Sequence, residues 1–365
     1  MKQTKVGIIG CGNISDAYFS TNEKFSFFEI VACADLNLGA AQLKAEKWKI
    51  AKACSVDELL ADPEIEFVIN LTIPQAHGPV MLRCLEAGKS VYTEKPFTVT
   101  REEAQKIIAL AHAKNLRVGS APDTFLGGAH QACRALIDRG AIGEVVAVTA
   151  FMQGHGHESW HPAPEFYYKR GGGPMFDMGP YYLTDLVQLV GPIKTVSGMT
   201  RISQAQRPIT SQPLAGKMID VEVPTHISGS MQFQNGAIGT LIMSFDVWSH
   251  TLPHIQIHGT QGSLYVPDPN GFGGQIEMRL AGQDLCEMPL SHPYIDNARG
   301  IGMADMVLAM QSGRDHRCNE RLAYHVLDVM HAFHDSSDQK RHLEIKSTCE
   351  RPAMLPLGLK EGELD

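Results

Sequence analysis

Val6-Gly7-Ile8-Ile9-Gly10-Cys11-Gly12-Asn13-Ile14-Ser15 sets the reading of this chain. A short apolar strand runs into a glycine turn, and a helix is expected from about Asn13. Gly10 permits a tight turn, and Gly12 lets the backbone come close to a ligand. The helix start offers free N–H groups and a partial positive charge, which together suit an anion such as a pyrophosphate. The third fingerprint position holds Ser15 rather than Gly or Ala, small enough for close helix packing. Two glycines after a strand are by themselves an ordinary turn, so the flanking sequence has to decide between the two readings.

Moving outward, Val6–Gly10, Ile30–Ala34, Phe67–Leu71, Val91–Thr93 and Arg117–Ser120 are continuous apolar runs rather than alternating ones. Strands covered on both faces of a parallel sheet look like this. Helices lie between them: Ser55–Glu58 and Thr100–Glu103 fit the capping box, and Gly88 sits where a helix from about Gln75 should stop. The alternation predicts a doubly wound Rossmann sheet. Asp35 ends the second strand, where a carboxylate can accept hydrogen bonds from an adenosine ribose. It would repel a 2′-phosphate, and Leu36-Asn37-Leu38 supplies no Arg, so NAD is favoured over NADP. The plainer reading of Asp35 is a turn residue.

Beyond about residue 140 the runs Glu144–Met152, Thr195–Ile202, Thr225–Phe233, Ala237–Phe245 and His254–His258 are longer and partly alternating. Asn235-Gly236 between two of them is a strong hairpin signal, since both residues tolerate positive φ. Helices are expected over roughly Ala298–Met310 and Arg321–Asp335. The fold class is therefore α/β plus α+β. An N-terminal Rossmann doubly wound parallel sheet spans 1–123. A C-terminal domain over 124–365 carries a large, open, mainly antiparallel sheet with flanking helices.

The chain has 365 residues, an ordinary apolar share of 44% and a formal charge of −8. That length favours two domains, and the acidic balance argues against nucleic acid or anionic lipid as a partner. Eight scattered cysteines show no Cys-x-x-Cys spacing. No run approaches the ~18 apolar residues of a membrane span. The first residues lack the apolar core of a leader, so a reduced cytoplasm is expected.

Glu94-Lys95-Pro96 falls at the carboxyl end of the fifth strand, the edge where open α/β sheets bind ligands. A Lys there can donate to a substrate oxygen and lower the pKa of a neighbouring acid. Alone, it would read as a surface lysine. The sequence leaves open whether the bond before Pro96 is cis.

Several stretches together resemble the Gfo/Idh/MocA oxidoreductases over nearly the whole chain. They are the glycine turn, Leu71-Thr72-Ile73-Pro74 with His77, Glu94-Lys95-Pro96, Gly171-Gly172-Gly173, Asp177-Met178-Gly179-Pro180-Tyr181 and the late stretch Leu322–Leu327. The resemblance implies that Lys95 is the catalytic lysine and that Asp177 and the residue four on line the substrate pocket beside the nicotinamide. Many relatives carry His at that fourth position; Tyr181 stands here, as in the glucose–fructose oxidoreductase branch. A Tyr with its ordinary pKa of about 10 is a poor base at neutral pH, and a nearby Lys95 ammonium would lower it.

The expected function is transfer of a hydride between NAD and a sugar, polyol or related cyclic alcohol, with the reacting oxygen between Lys95 and Tyr181 and with Asp177 orienting the substrate. The cofactor is expected against Gly10, Gly12, Asn13, Ile14, Asp35, Thr72, Pro74, His77, Glu94 and Lys95. His155, His157 and His161 could be read as metal ligands by spacing, but the resemblance supplies no metal and none is assigned. A loop whose Trp160 and His161 touch the sugar, or a polar loop without function, are the other readings. Lys169-Arg170 is left open. His325 and the helically spaced Met303, Met306 and Met310 read as core, His325 also as interface. Two other functions compete: a non-catalytic dinucleotide-binding regulator, and an NAD-recycling lyase, hydrolase or isomerase. The open sheet predicts a homodimer or homotetramer, because its face must be covered.

Overall fold

The five apolar runs of the first part form strands in a computed structural model that describes residues 3–365, and a sixth strand, Lys52–Cys54, joins them without having been expected: Thr4–Ile9 (β1), Phe28–Ala34 (β2), Lys52–Cys54 (β3), Phe67–Asn70 (β4), Ser90–Thr93 (β5) and Val118–Ser120 (β6). They pair in parallel in the order β3-β2-β1-β4-β5-β6. β4 and β5 are buried at every position, which is why their sequences show no alternation. The strand order reverses between β1 and β4, and ligands of such sheets bind at the carboxyl ends flanking that switch.

Local signals explain the helices. Ser55 and Glu58 form both arms of a capping box ahead of Val56–Ala61. Thr100 Oγ1 accepts from Glu103 N at 3.2 Å ahead of Arg101–Ala113. Pro74 opens the helix Pro74–Glu86, where its missing N–H costs nothing, and Gly88 follows the helix end with φ of 75°. The first helix starts two residues later than expected, at Ser15, ends at Phe19, and is followed after a break by Thr21–Lys24.

The chain packs as two units. The first comprises Met1–Gly127, His292–Tyr324 and Pro352–Asp365; the second comprises Gly128–Ser291 and His325–Arg351. The single boundary expected at 123/124 differs from this, because two late segments return to the first unit. Asp123 is the reason on one side: its buried Oδ2 accepts the N–H groups of Gly300 at 2.7 Å and Gly302 at 3.1 Å, at the start of the helix Ile301–Ser312. Ser120 N donates to the Cys318 carbonyl at 3.1 Å, and Arg317 reaches Asp365 at 2.6 Å. Met303 and Met306 are fully buried in this helix, and so serve as core of the first unit.

In the second unit, Val145–Gln153 (β7), Ile193–Arg201 (β8), Gln206–Pro208 (β9), Met218–Asp220 (β10), His226–Phe233 (β11), Ile238–Ser244 (β12), Ile255–Gly259 (β13), Gly262–Val266 (β14), Ile276–Leu280 (β15), Cys286–Met288 (β16) and Leu343–Glu344 (β17) follow in turn. Nine of them make one sheet, β16-β15-β14-β13-β7-β12-β11-β8-β17, antiparallel except where β7 meets β12. The Asn235-Gly236 turn joins β11 to β12, with Gly236 at φ of 94°. β9 and β10 form a separate two-stranded pair that nothing in the local periodicity announced. His325 is a core histidine, fully buried, its Nε2 accepting from Ile193 N at 3.0 Å; burial lowers its pKa to about 4. Among the described residues, no helix is long and apolar enough to cross a membrane.

Candidate active site

In the first unit the site grows from the turn after β1. Gly10 has φ of 102°, and a Cβ there would lie 2.6 Å from the backbone carbon and oxygen of Leu71, so no side chain fits between the loops after β1 and β4. Gly12 is the opposite case. A Cβ on it would meet nothing within 4 Å, and Gly12, Asn13 and Ile14 are all exposed. No side chain caps the helix that starts after Ile14. Ser15 is buried and donates its hydroxyl to the Gly12 carbonyl at 2.6 Å, which stiffens the turn from below. The geometry leaves an open cradle of backbone donors, the surface that a pyrophosphate needs.

Asp35 holds the turn. One carboxylate oxygen accepts from Cys11 N and the other from Asn37 N, each at 2.8 Å. Each oxygen keeps a lone pair for a ribose hydroxyl. Leu36 beside it is completely exposed and carries no charge to offer a 2′-phosphate.

On the other side of the switch, Asn70 at the end of β4 organises the next loop. Its side-chain oxygen accepts from the Thr72 hydroxyl at 2.7 Å, and its amide donates to the His77 carbonyl at 3.2 Å. Thr72 and Pro74 are half-buried in this loop. His77 departs from the expected cofactor contact. It is fully buried, its Nδ1 2.7 Å from the Pro96 carbonyl and its Nε2 2.9 Å from the Thr72 carbonyl. With no exposed surface, it serves to hold the two loops together. Burial lowers its pKa. Glu94 is likewise a tie: it accepts from the Tyr18 hydroxyl at 2.7 Å and from Lys95 N at 3.0 Å. Lys95 is half-buried and precedes Pro96 through a cis peptide bond.

The second unit assembles its own group. Asp177 closes the short helix Gly173–Asp177, and Tyr181, buried, lies in the first turn of Gly179–Val190. Gly172 makes the approach possible, since a Cβ there would sit 2.6 Å from the Tyr167 carbonyl. Asp177 Oδ2 lies 3.2 Å from His157 Nε2. The His157 ring stacks on Tyr167, with centroids 3.7 Å apart and planes at 9°, and stands edge-on to Phe245 at 4.8 Å.

The segment before the triple glycine is anchored by residues that sequence reasoning passed over. Arg207 on β9 is buried and pairs with Glu158 and with Asp246, the latter at 3.1 Å, while donating to the Phe245 carbonyl at 3.0 Å. Glu158 also accepts from the Tyr168 hydroxyl. Tyr168, Ile209, Ile219, Val221 and Phe245 make a small core under the loop. Trp160 remains 61% exposed. His161 uses its Nδ1 to accept from Ala163 N at 3.0 Å, and His155 stacks on Trp248. Lys169 pairs with Glu222 at 2.9 Å. Among the described residues, no group of three or more His, Cys, Asp or Glu could hold a metal.

Comparison with known proteins agrees with this layout. The profile described as an oxidoreductase family with an NAD-binding Rossmann fold matches residues 4–121, and the GFO/IDH/MocA C-terminal domain matches 130–265. Trans-1,2-dihydrobenzene-1,2-diol dehydrogenase of Bos taurus is 27% identical over 302 residues, 82% of this chain and 84% of that one. D-xylose dehydrogenase of Paenarthrobacter nicotinovorans is 21% identical over 326 residues, 82% and 83% of the two chains. An uncharacterized oxidoreductase of Schizosaccharomyces pombe is 32% identical, over half of each chain. Among solved structures, levoglucosan dehydrogenase in complex with NADH and L-sorbose has the same fold. Its TM-score is 0.82 at 19% identity, covering 95% of this chain and all of that one. What the glycine turn and the Glu-Lys-Pro corner first suggested therefore holds: the chain belongs to the Gfo/Idh/MocA family, as an NAD-binding oxidoreductase.

Proposed function

We propose that the protein is a dehydrogenase that oxidises a CH–OH group of a sugar, polyol or related cyclic alcohol, or reduces the matching carbonyl, using NAD. The observation that carries this reading is the open space over the Gly12 backbone, one residue beyond Cys11, whose N–H is held by the Asp35 carboxylate at the end of β2. Gly10, Gly12, Asn13, Ile14 and Asp35 would hold the dinucleotide, with Thr72, Pro74 and Lys95 on the loops after β4 and β5. The nicotinamide, when bound, supplies the carbon that accepts or returns the hydride.

The chain's own residues handle the proton and the substrate. Lys95 donates to the reacting oxygen, while Tyr181 takes the hydroxyl proton, or gives it in the reverse direction. Asp177, held by His157, orients the substrate, and Trp160 offers an exposed ring to a sugar's apolar face.

Two further readings belong to the same proposal. A second copy covers the outer face of the nine-stranded sheet, where Met199 and Ile238 stand exposed at 79% and 58%. The compartment is a reducing cytoplasm, in keeping with eight cysteines that are all free, seven of them buried. The test is a panel of sugars, polyols and cyclic alcohols with NAD⁺ and NADP⁺, following the absorbance of the reduced nicotinamide. Turnover with NAD⁺ in preference to NADP⁺ is expected. Tight NADH binding with no turnover across the panel would instead make the protein a regulator.

A further inference from the structure

We infer that His130 and Asp185, a pair sealed inside the second unit, fix the rotation of the helix Gly179–Val190 about its axis and so act as positioning residues for Tyr181. The inference rests on the dehydrogenase reading above, in which Tyr181 carries the proton.

Three observations carry it. The first is the pair itself. His130, on the helix Gly128–Asp138, is fully buried, and Asp185 is 1% exposed. His130 Nδ1 stands 2.9 Å from Asp185 Oδ2, and because a carboxylate only accepts, Nδ1 carries the hydrogen. Burial works against a charged ring, but the Asp185 carboxylate outweighs it and holds the His130 pKa above its ordinary value, with Asp268 beyond β14 adding to the same field. The Cys133 thiol also faces Asp185 and stays protonated, its pKa raised by burial and by that carboxylate.

The second is spacing. Asp185 follows Tyr181 by four residues, so the two side chains leave one face of the helix on successive turns. What fixes the direction of Asp185 therefore fixes that of Tyr181. With Cα atoms about 2.3 Å from the axis and a phenol reaching roughly 6 Å further, a rotation of about 10° carries the Tyr181 hydroxyl ~1.5 Å. A misplacement of about 1 Å can cost on the order of 10²-fold in rate.

The third is the company the pair keeps. Leu183, Leu186, Val187 and Leu189 on the same helix are fully buried, but apolar packing is non-directional and does not by itself choose a rotation. Directional bonds to the neighbouring helix gather at Asp185. Gln188 Nε2 donates to Asp185 Oδ1 at 2.9 Å and to the His130 carbonyl at 3.4 Å, and Arg134 donates to the Gln188 carbonyl at 2.8 Å. A buried ion pair adds little stability over apolar residues of its size, yet it demands one geometry.

The test separates stability from position. Asp185→Ala leaves the His130 donor unpaired in the core and should lower the urea midpoint; His130→Leu/Asp185→Leu removes both partners and should bring it back. In the double variant kcat, counted per NADH site from a fluorescence titration and measured on the best alcohol of the panel, should still be about 10²-fold low, with KM for NAD⁺ within about twofold of the wild type. A pair that serves folding alone predicts that kcat recovers together with the midpoint, and that result overturns the inference.

A conservative variant answers if the double variant does not fold. Asp185→Asn keeps an oxygen for the Nδ1–H of a neutral His130, and the Gln188 amide can turn its unpartnered Oε1 toward the new N–H. With NADH present to hold the folded form, Asp185→Asn should keep kcat well above that of Asp185→Ala. Equal kcat per NADH site in these two variants sinks the inference alone. If the wild type turns over no alcohol, the dehydrogenase reading falls and takes this one with it.

Discussion

Replacing Gly10 and Gly12 separately by alanine should distinguish a glycine that serves the fold from one that serves a ligand. At Gly10 the backbone is left-handed, which for alanine costs about 1–3 kcal/mol. The new Cβ would also lie 2.6 Å from the Leu71 carbon and oxygen, forcing apart the loops after β1 and β4. Overpacking of that kind adds typically ~1–3 kcal/mol, so the total is roughly 2–6 kcal/mol. Against a typical whole-protein stability of about 5–15 kcal/mol, this is a large loss. At Gly12 no atom lies within 4 Å of the added methyl and φ is outside the left-handed range. Stability should stay level or rise by up to ~1 kcal/mol, because the unfolded chain loses freedom. The methyl would instead stand where a pyrophosphate approaches the backbone. Losing one charge-assisted hydrogen bond, worth ~1.5–3 kcal/mol, weakens NADH binding at least tenfold. Urea unfolding without cofactor and an NADH fluorescence titration read the two effects. The reasoning is refuted if Gly12→Ala binds NADH within twofold of the wild type, or if Gly10→Ala unfolds at the wild-type midpoint.

Three other perturbations bear on the account. Asp123 is fully buried, and burial pushes its carboxyl up to about 6 from an ordinary value near 3.9. Its folded form binds a proton more readily than the unfolded chain does, so the stability it contributes is present at acid pH and is lost as pH rises through about 6, a swing of about 3 kcal/mol. Asp123→Asn keeps an acceptor for Gly300 and Gly302 and should flatten that slope and be the more stable protein above pH 6; equal slopes from urea midpoints across this range would count against it. Tyr181→Phe should lower kcat by about 10²–10⁴ while leaving NADH affinity nearly unchanged, and a fully active variant would remove Tyr181 from proton transfer. Arg207→Met leaves Glu158 and Asp246 buried without their cation and should cost about 3–5 kcal/mol in urea unfolding; a loss under ~1 kcal/mol would show that the ion cluster is not what anchors the loop.

Much of the first unit was legible because its signals are local. A strand, a glycine with positive φ and a capping serine each act over a few residues, and the continuous burial of β4 and β5 is written directly in Phe67–Asn70 and Ser90–Thr93. Asp35 was legible for the same reason. What escaped depended on contacts between distant residues. The return of Ile301–Ser312 to the first unit rests on one carboxylate, Asp123, which accepts from amides 177 and 179 residues away. The Arg207 pairings with Glu158 and Asp246 leave no periodicity in any one segment. His77 was visible as a motif residue, but its burial between two carbonyls was not, and that burial changed its role from contact to support. His157 stood in a visible cluster of three histidines. Only the geometry separates the one held by Asp177 from its neighbours.

The most direct test of the central claim follows an isotope. A substrate found in the panel, deuterated at the carbon bearing the reacting hydroxyl, is incubated with the enzyme and NAD⁺, and the NADH formed is weighed by mass spectrometry. Direct hydride transfer predicts NADH one deuterium heavier, in an amount equal to the ketone produced. Product formed with no net NADH, or NADH without the label, would contradict the account.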